Sequence, residues 1–111
     1  MTKILVVDDE PEARALLKEH LSEAGFELAT AANGREGLDM MSSFRPDIVF
    51  TDIYMPEMDG IELITRIRSQ FPDTRIVAAS GGGSVVPHTY LEQARTLGAA
   101  FSIRKPFPWS K

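Results

Sequence analysis

Apolar residues along the chain follow two rhythms that take turns. Short runs rich in β-branched and aliphatic residues, at 3–7, 26–31, 48–51, 75–79 and 100–103, have the length and composition of β-strands. Between them the apolar positions recur at helical spacing. The first helix opens with Pro11 in its first turn, carries Ala13, Leu16, Leu17, His20, Leu21 and Ala24 on one face, and stops at Gly25. On that spacing His20 faces the core. Asn33 can cap a second helix whose buried side is Leu38, Met41 and Phe44, with Pro46 ending the segment. A third begins at Asp59 or Gly60, with Ile61, Ile64, Ile67, Arg68 and Phe71 near one face and Pro72-Asp73 as the turn out. A loop at Gly81-Gly82-Gly83-Ser84 precedes a fourth helix, from about Pro87 to Leu97, capped by Gly98. Strand and helix patterns in alternation predict βαβ units and a parallel sheet.

The run Ile48 to Thr51 is apolar enough to be buried on both faces, and it delivers Asp52 at its C-terminal end before Pro56 and Gly60 force a loop. In an open parallel sheet, ligands and chemistry sit beyond the carboxyl ends of the strands. Other strands also end in polar groups: Asp8 and Asp9 after the first, Ser80 after the fourth, Lys105 after the fifth. Parallel strands bring these ends together. Asp8, Asp9 and Asp52 would repel one another strongly and can all stay ionised only with a cation among them. An all-oxygen ligand set favours Mg²⁺, which is usually held by one or two carboxylates together with phosphate oxygens. That combination points to phosphoryl transfer.

Composition narrows the alternatives. At 111 residues the chain is expected to be one domain, 1–111. Without cysteine it has no disulfide, thiolate nucleophile or Cys-based metal site. A net charge of −4 without a Lys/Arg stripe gives no footprint for direct nucleic-acid contact. The absence of a long apolar stretch or a signal segment leads us to expect a soluble, cytoplasmic protein with no membrane contact.

Ile4-Leu5-Val6-Val7-Asp8-Asp9-Glu10-Pro11, then Asp52-Ile53-Tyr54-Met55-Pro56-Glu57-Met58-Asp59-Gly60, Ser80 and Lys105-Pro106-Phe107 stand in the order and spacing of a known family. The chain resembles the receiver domains of two-component response regulators over essentially its whole length. The resemblance implies an α/β, doubly wound, five-stranded parallel sheet of order 2-1-3-4-5, as in the flavodoxin-like and CheY-like folds. It implies that Asp52 accepts a phosphoryl group from a phosphohistidine on a histidine kinase or histidine phosphotransfer protein. Mg²⁺ would be held by Asp9, Asp52 and the backbone carbonyl of Tyr54, with Asp8 acting through a water. Lys105 supplies a point charge for one phosphoryl oxygen, and Pro106 is a candidate cis peptide that aims it inward. The Ser80 hydroxyl can move to a phosphoryl oxygen and carry the added charge into the Gly81 to Val86 loop and the fourth helix. Such a domain is a signalling switch rather than an enzyme, catalysing only its own phosphoryl transfer and autodephosphorylation.

Each residue also has a plainer reading. Asp52 alone could initiate a turn, and Asp-Asp-Glu after a strand is often helix N-terminal charge favoured by the dipole. Ser80 before glycines is a common loop residue. The glycines lack the Gly-Lys-Ser/Thr of a P-loop. His20 and His88 have no metal-like spacing, Met40, Met41, Met55 and Met58 are read as core or loop packing, and Trp109 as packing near the chain end.

Two features depart from the family pattern. Three residues before Lys105, where many receivers carry Tyr or Phe, stands Ser102, and alternation turns Phe101 to the other face. Signalling is then expected to rely on the Gly81 to Val86 loop and the fourth helix. The four residues after Phe107 cannot form the family's usual fifth helix, so the last helix reads as missing or truncated. A bare sheet face predicts dimerisation through that face or the fourth helix, segment swapping, or a chain cut short of its natural end, such as a module of a larger regulator or hybrid kinase. We favour the last. The alternative function is a receiver-like interaction module that does not use phosphorylation. A Mg²⁺-dependent phosphatase would need a second aspartate where Tyr54 stands, and carboxylates at the switch point would repel a flavin phosphate.

Overall fold

The structure, a computed structural model, describes residues 2–52, 58–80 and 101–104, the last four and residues 79–80 by their backbone alone. In chain order the elements are β1 (Lys3–Val7), α1 (Pro11–Glu23), β2 (Glu27–Ala31), α2 (Gly34–Phe44), β3 (Ile48–Asp52), α3 (Gly60–Gln70), β4 (Arg75–Ser80) and β5 (Phe101–Arg104). All five strands are parallel, in the order β2-β1-β3-β4-β5. This is the expected doubly wound sheet.

Alternation along the strands divides the core in two. Ile4 and Val6 of β1 and Phe50 of β3 turn to one face, where they meet Leu17 of α1 with Leu21 and Phe26 half-buried around them. Leu5, Val7, Val49, Ile76 and Ala78 turn to the other face and meet Met41 of α2 and Leu63, Ile64 and Ile67 of α3. Because β1 and β3 lie in the middle of the sheet, their apolar runs are buried on both sides.

Helix ends follow their local chemistry. Asn33 caps α2 by accepting the Glu36 amide at 2.8 Å, and Asp59 caps α3 by accepting the Glu62 amide at 2.9 Å. After α1 the chain turns at Gly25, whose φ of 95° suits a residue without a side chain. After α2 the reversal is made by Arg45 at φ 52°, one residue ahead of Pro46. Three expectations need correction. His20 is half-buried rather than a core residue, and Ala24 at the same end of α1 is exposed. On α3 the buried stripe runs through Leu63, Ile64 and Ile67, while Arg68 is exposed and its guanidinium donates to the Pro72 carbonyl at 2.7 Å. The fourth helix, Gly98, Pro106 and Trp109 lie outside the described residues.

Candidate acidic site at the carboxyl ends of the strands

Parallel register creates the site. Val7 of β1 stands beside Thr51 of β3, so the next residue along each strand direction, Asp8 and Asp52, emerges at the same end of the sheet. Both side chains are enclosed: Asp8 is 1% exposed and Asp52 3%. Several bonds among the described residues hold the chain leaving β1 in place. The Asp8 amide donates to the Ala31 carbonyl at 3.1 Å, extending the tie to β2. The Asp8 Oδ1 accepts the Glu10 amide at 2.9 Å, a local aspartate turn that swings the backbone toward α1. Arg14, half-buried on α1, donates from its guanidinium to the Asp8 carbonyl at 2.7 Å. On β3, Thr51 is fully buried and its hydroxyl donates to the Asp52 carbonyl at 2.8 Å.

Asp9 and Glu10 follow on the exposed side of this corner. One ligand atom from each of Asp8, Asp9, Glu10 and Asp52 lies within 4.8 Å of the others. Four carboxylates at such separations raise one another's electrostatic energy, most strongly for the buried pair, where solvent screens least. Two enclosed carboxylates and two exposed ones give a hard, all-oxygen donor set with an open side. That chemistry fits Mg²⁺, which takes few protein ligands and keeps waters or phosphate oxygens in its remaining positions.

Asp8, Asp9 and Asp52 are thus brought together as the sequence predicted. Ser80 ends β4 and pairs with Arg104 of β5, one strand beyond the pairing of Asp52 with Ala79. Lys105 follows Arg104 directly in sequence; it, Tyr54 and the Ser80 side chain lie outside the described residues, as does the Gly81 to Val86 loop. Glu10 was missed as a member of the cluster. Its signal was the unbroken acidic run Asp8-Asp9-Glu10, which reads equally well as charge favouring a helix N-terminus.

The family model for the response regulator receiver domain matches residues 4–111. The chain belongs to the response regulator receiver domain family. Among its relatives, the sporulation initiation phosphotransferase F of Bacillus subtilis is 35% identical over 95% of this chain and 82% of its own length. The chemotaxis protein CheY of Thermotoga maritima is 38% identical over 98% of this chain and 89% of its own. Among solved structures, the response regulator protein TrrA of Thermotoga maritima, in complex with Mg²⁺-BeF, superposes with a TM-score of 0.85 at 37% identity, over 99% of this chain and 91% of that one. As a receiver, the protein is a phosphorylatable switch of two-component signalling. Among the described residues no helix is long and apolar enough to cross a membrane.

Proposed function

We propose that residues 1–111 work as one receiver domain in which Asp52 is the phosphoacceptor and Asp8 and Asp9, with Asp52, hold Mg²⁺. The observation that carries this is the grouping of Asp8, Asp9, Glu10 and Asp52 within 4.8 Å around two enclosed carboxylates at the strand ends. TrrA, a relative of the same fold, was seen in complex with Mg²⁺-BeF, which supports the same ion here. Tyr54 would add its backbone carbonyl, and Lys105 and the Ser80 hydroxyl would meet phosphoryl oxygens, as the family's motif order implies.

In the reaction an ionised Asp52 oxygen forms a bond to phosphorus while the P–N bond of the donor phosphohistidine breaks, its electron pair leaving with the imidazole nitrogen. The product is an aspartyl phosphate, a mixed anhydride that water later cleaves to aspartate and inorganic phosphate. When bound, Mg²⁺ would offset the charge of the phosphoryl oxygens. The protein's own part is positioning. Thr51 and the β3 pairings fix the Asp52 backbone, and the bonds that Asp8 accepts from Glu10 and Arg14 and donates to the Ala31 carbonyl fix Asp8. The donor is a histidine kinase or a histidine phosphotransfer protein, and Ser80 passes the added charge toward the segment that follows β4.

Intact-mass measurement after incubation with acetyl phosphate tests the proposal. Wild type with Mg²⁺ is expected to gain one phosphoryl mass; EDTA, or Asp52→Asn, should abolish the gain. An adduct that persists in Asp52→Asn would move the acceptor elsewhere, and no adduct under any condition would favour a phosphorylation-independent interaction module.

A further inference from the structure

The start of α2 approaches Val7 and Met58 more closely than a side chain permits. A Cβ on Gly34 would collide with the Met58 carbonyl oxygen and lie 2.9 Å from the Met58 Cβ. A Cβ on Gly37, three residues further along the helix, would lie 2.8 Å from Cγ2 of Val7. Val7 immediately precedes Asp8 and Asp9. Met58 is buried, one residue ahead of the Asp59 cap of α3. Gly34 and Gly37 are themselves buried. The two glycines therefore bring one helix surface against Val7, which leads directly into Asp8 and Asp9, and against Met58 at the start of α3.

The helix end is well anchored. Asn33 accepts the Glu36 amide at 2.8 Å, and the Glu36 carboxylate reaches back to accept the Ala32 amide at 3.1 Å. Ala31, just upstream, is buried, and its carbonyl accepts the Asp8 amide. Neither contact of Gly34 can yield by a side-chain rotation, because the obstructing atoms are Met58 backbone and Cβ. On the far side of Met58, α3 is fixed by Leu63, Ile64 and Ile67 in the core.

We propose that Gly34 and Gly37 are positioning residues for the Mg²⁺-dependent reaction: Gly34 lets the first turn of α2 seat against Met58, and Gly37 lets the same helix lie against Val7, so that together they set where the Asp8-Asp9 corner is held. The inference rests on the reading of Asp8, Asp9 and Asp52 as the cation site. Purely structural glycines would predict something different: lost stability with an unchanged site. A control is at hand in Gly25, whose positive φ makes any substitution strained although nothing lies within 4 Å of its Cβ position.

The test is Mg²⁺ titration by calorimetry on the full chain, paired with urea unfolding in EDTA. Gly34→Ala and Gly37→Ala are expected to weaken Mg²⁺ binding by about 10- to 100-fold, the range seen when groups that orient metal ligands are removed. Gly25→Ala should lower the urea midpoint with Mg²⁺ affinity intact. The pair Gly37→Ala with Val7→Ala removes the obstruction and should recover most of the affinity lost by Gly37→Ala alone, which decides the matter even where Gly34→Ala does not fold. Wild-type affinity in both single variants, despite lower midpoints, would overturn the positioning role. A wild type that does not bind Mg²⁺ would instead overturn the cation site on which the role depends.

Discussion

Asp8 combines burial, a committed hydrogen bond and three nearby carboxylates. Replacing it by Asn keeps the oxygen that accepts the Glu10 amide and removes one negative charge from the cluster. Coulomb energy between unit charges a few ångströms apart at an effective dielectric near 20 is a few kcal/mol, part of which solvent and relaxation cancel. Asp8→Asn is therefore expected to stabilise the metal-free protein by about 1–3 kcal/mol in urea unfolding with EDTA, and to weaken Mg²⁺ binding. A destabilised Asp8→Asn in EDTA would show that repulsion is not the dominant force at this residue. At this scale the sequence was legible where chemistry and periodicity agreed: Asp8, Asp9 and Asp52 follow apolar strands, and that placement is visible in the order of residue types. Glu10 was hidden because an acid at a helix start has a sufficient local explanation. Gly34 and Gly37 were hidden for a different reason. A glycine in a helical pattern says nothing of what approaches it, and the approach is set by register between segments far apart in sequence.

Local side-chain chemistry decides the ends of the elements, and there the reading from sequence worked well. Asn33 was recognisable as a cap, because a short polar side chain ahead of a helical apolar pattern can accept a free amide of the first turn, whereas the start of α3 was left between Asp59 and Gly60 and the structure makes Asp59 the cap. Faces were harder. Spacing places a residue within a helical stripe only to about one position, so Arg68 was set near the apolar face of α3 although it is exposed, and Leu63, which is buried, was left out of that face. His20 failed similarly, on a helix that buries Leu17 deeply and leaves the residues around it half-exposed. The cap of α2 carries a consequence of its own, since that helix end touches both Met58 and Val7. Asn33→Ala removes the acceptor of the Glu36 amide and is expected to cost about 1 kcal/mol. Asn33→Asp retains the acceptor, adds a charge favoured by the helix dipole, and should fold with near wild-type stability. Urea midpoints for the two variants distinguish this from a general intolerance of substitution at residue 33, in which case both would fall together.

At the scale of the molecule, charge among the described residues is unevenly placed. A net charge of −4 is modest for 111 residues, yet four acids gather at the carboxyl end of the sheet. Folding brings Asp52 against the contiguous run Asp8-Asp9-Glu10, and the unfolded chain lets it move away from them, so repulsion between Asp52 and that run acts against the native state. A cation that binds only the folded form reverses the sign. At free Mg²⁺ of about 100 times Kd the linkage adds about 2.7 kcal/mol to stability, which for a domain of this size raises Tm by about 10 °C. Simple screening would also relieve repulsion, but it acts through ionic strength and discriminates little between salts. Thermal unfolding in MgCl₂ against NaCl of equal ionic strength separates the two: the rise should appear with MgCl₂, disappear on adding EDTA, and be largely lost in Asp52→Asn. Equal rises in both salts would mean that the fold tolerates its acidic pole by general screening alone. A rise specific to Mg²⁺ and dependent on Asp52 would mean that the strain at this pole and its readiness for phosphoryl transfer have the same physical origin, four carboxylates held closer than they would choose without a cation.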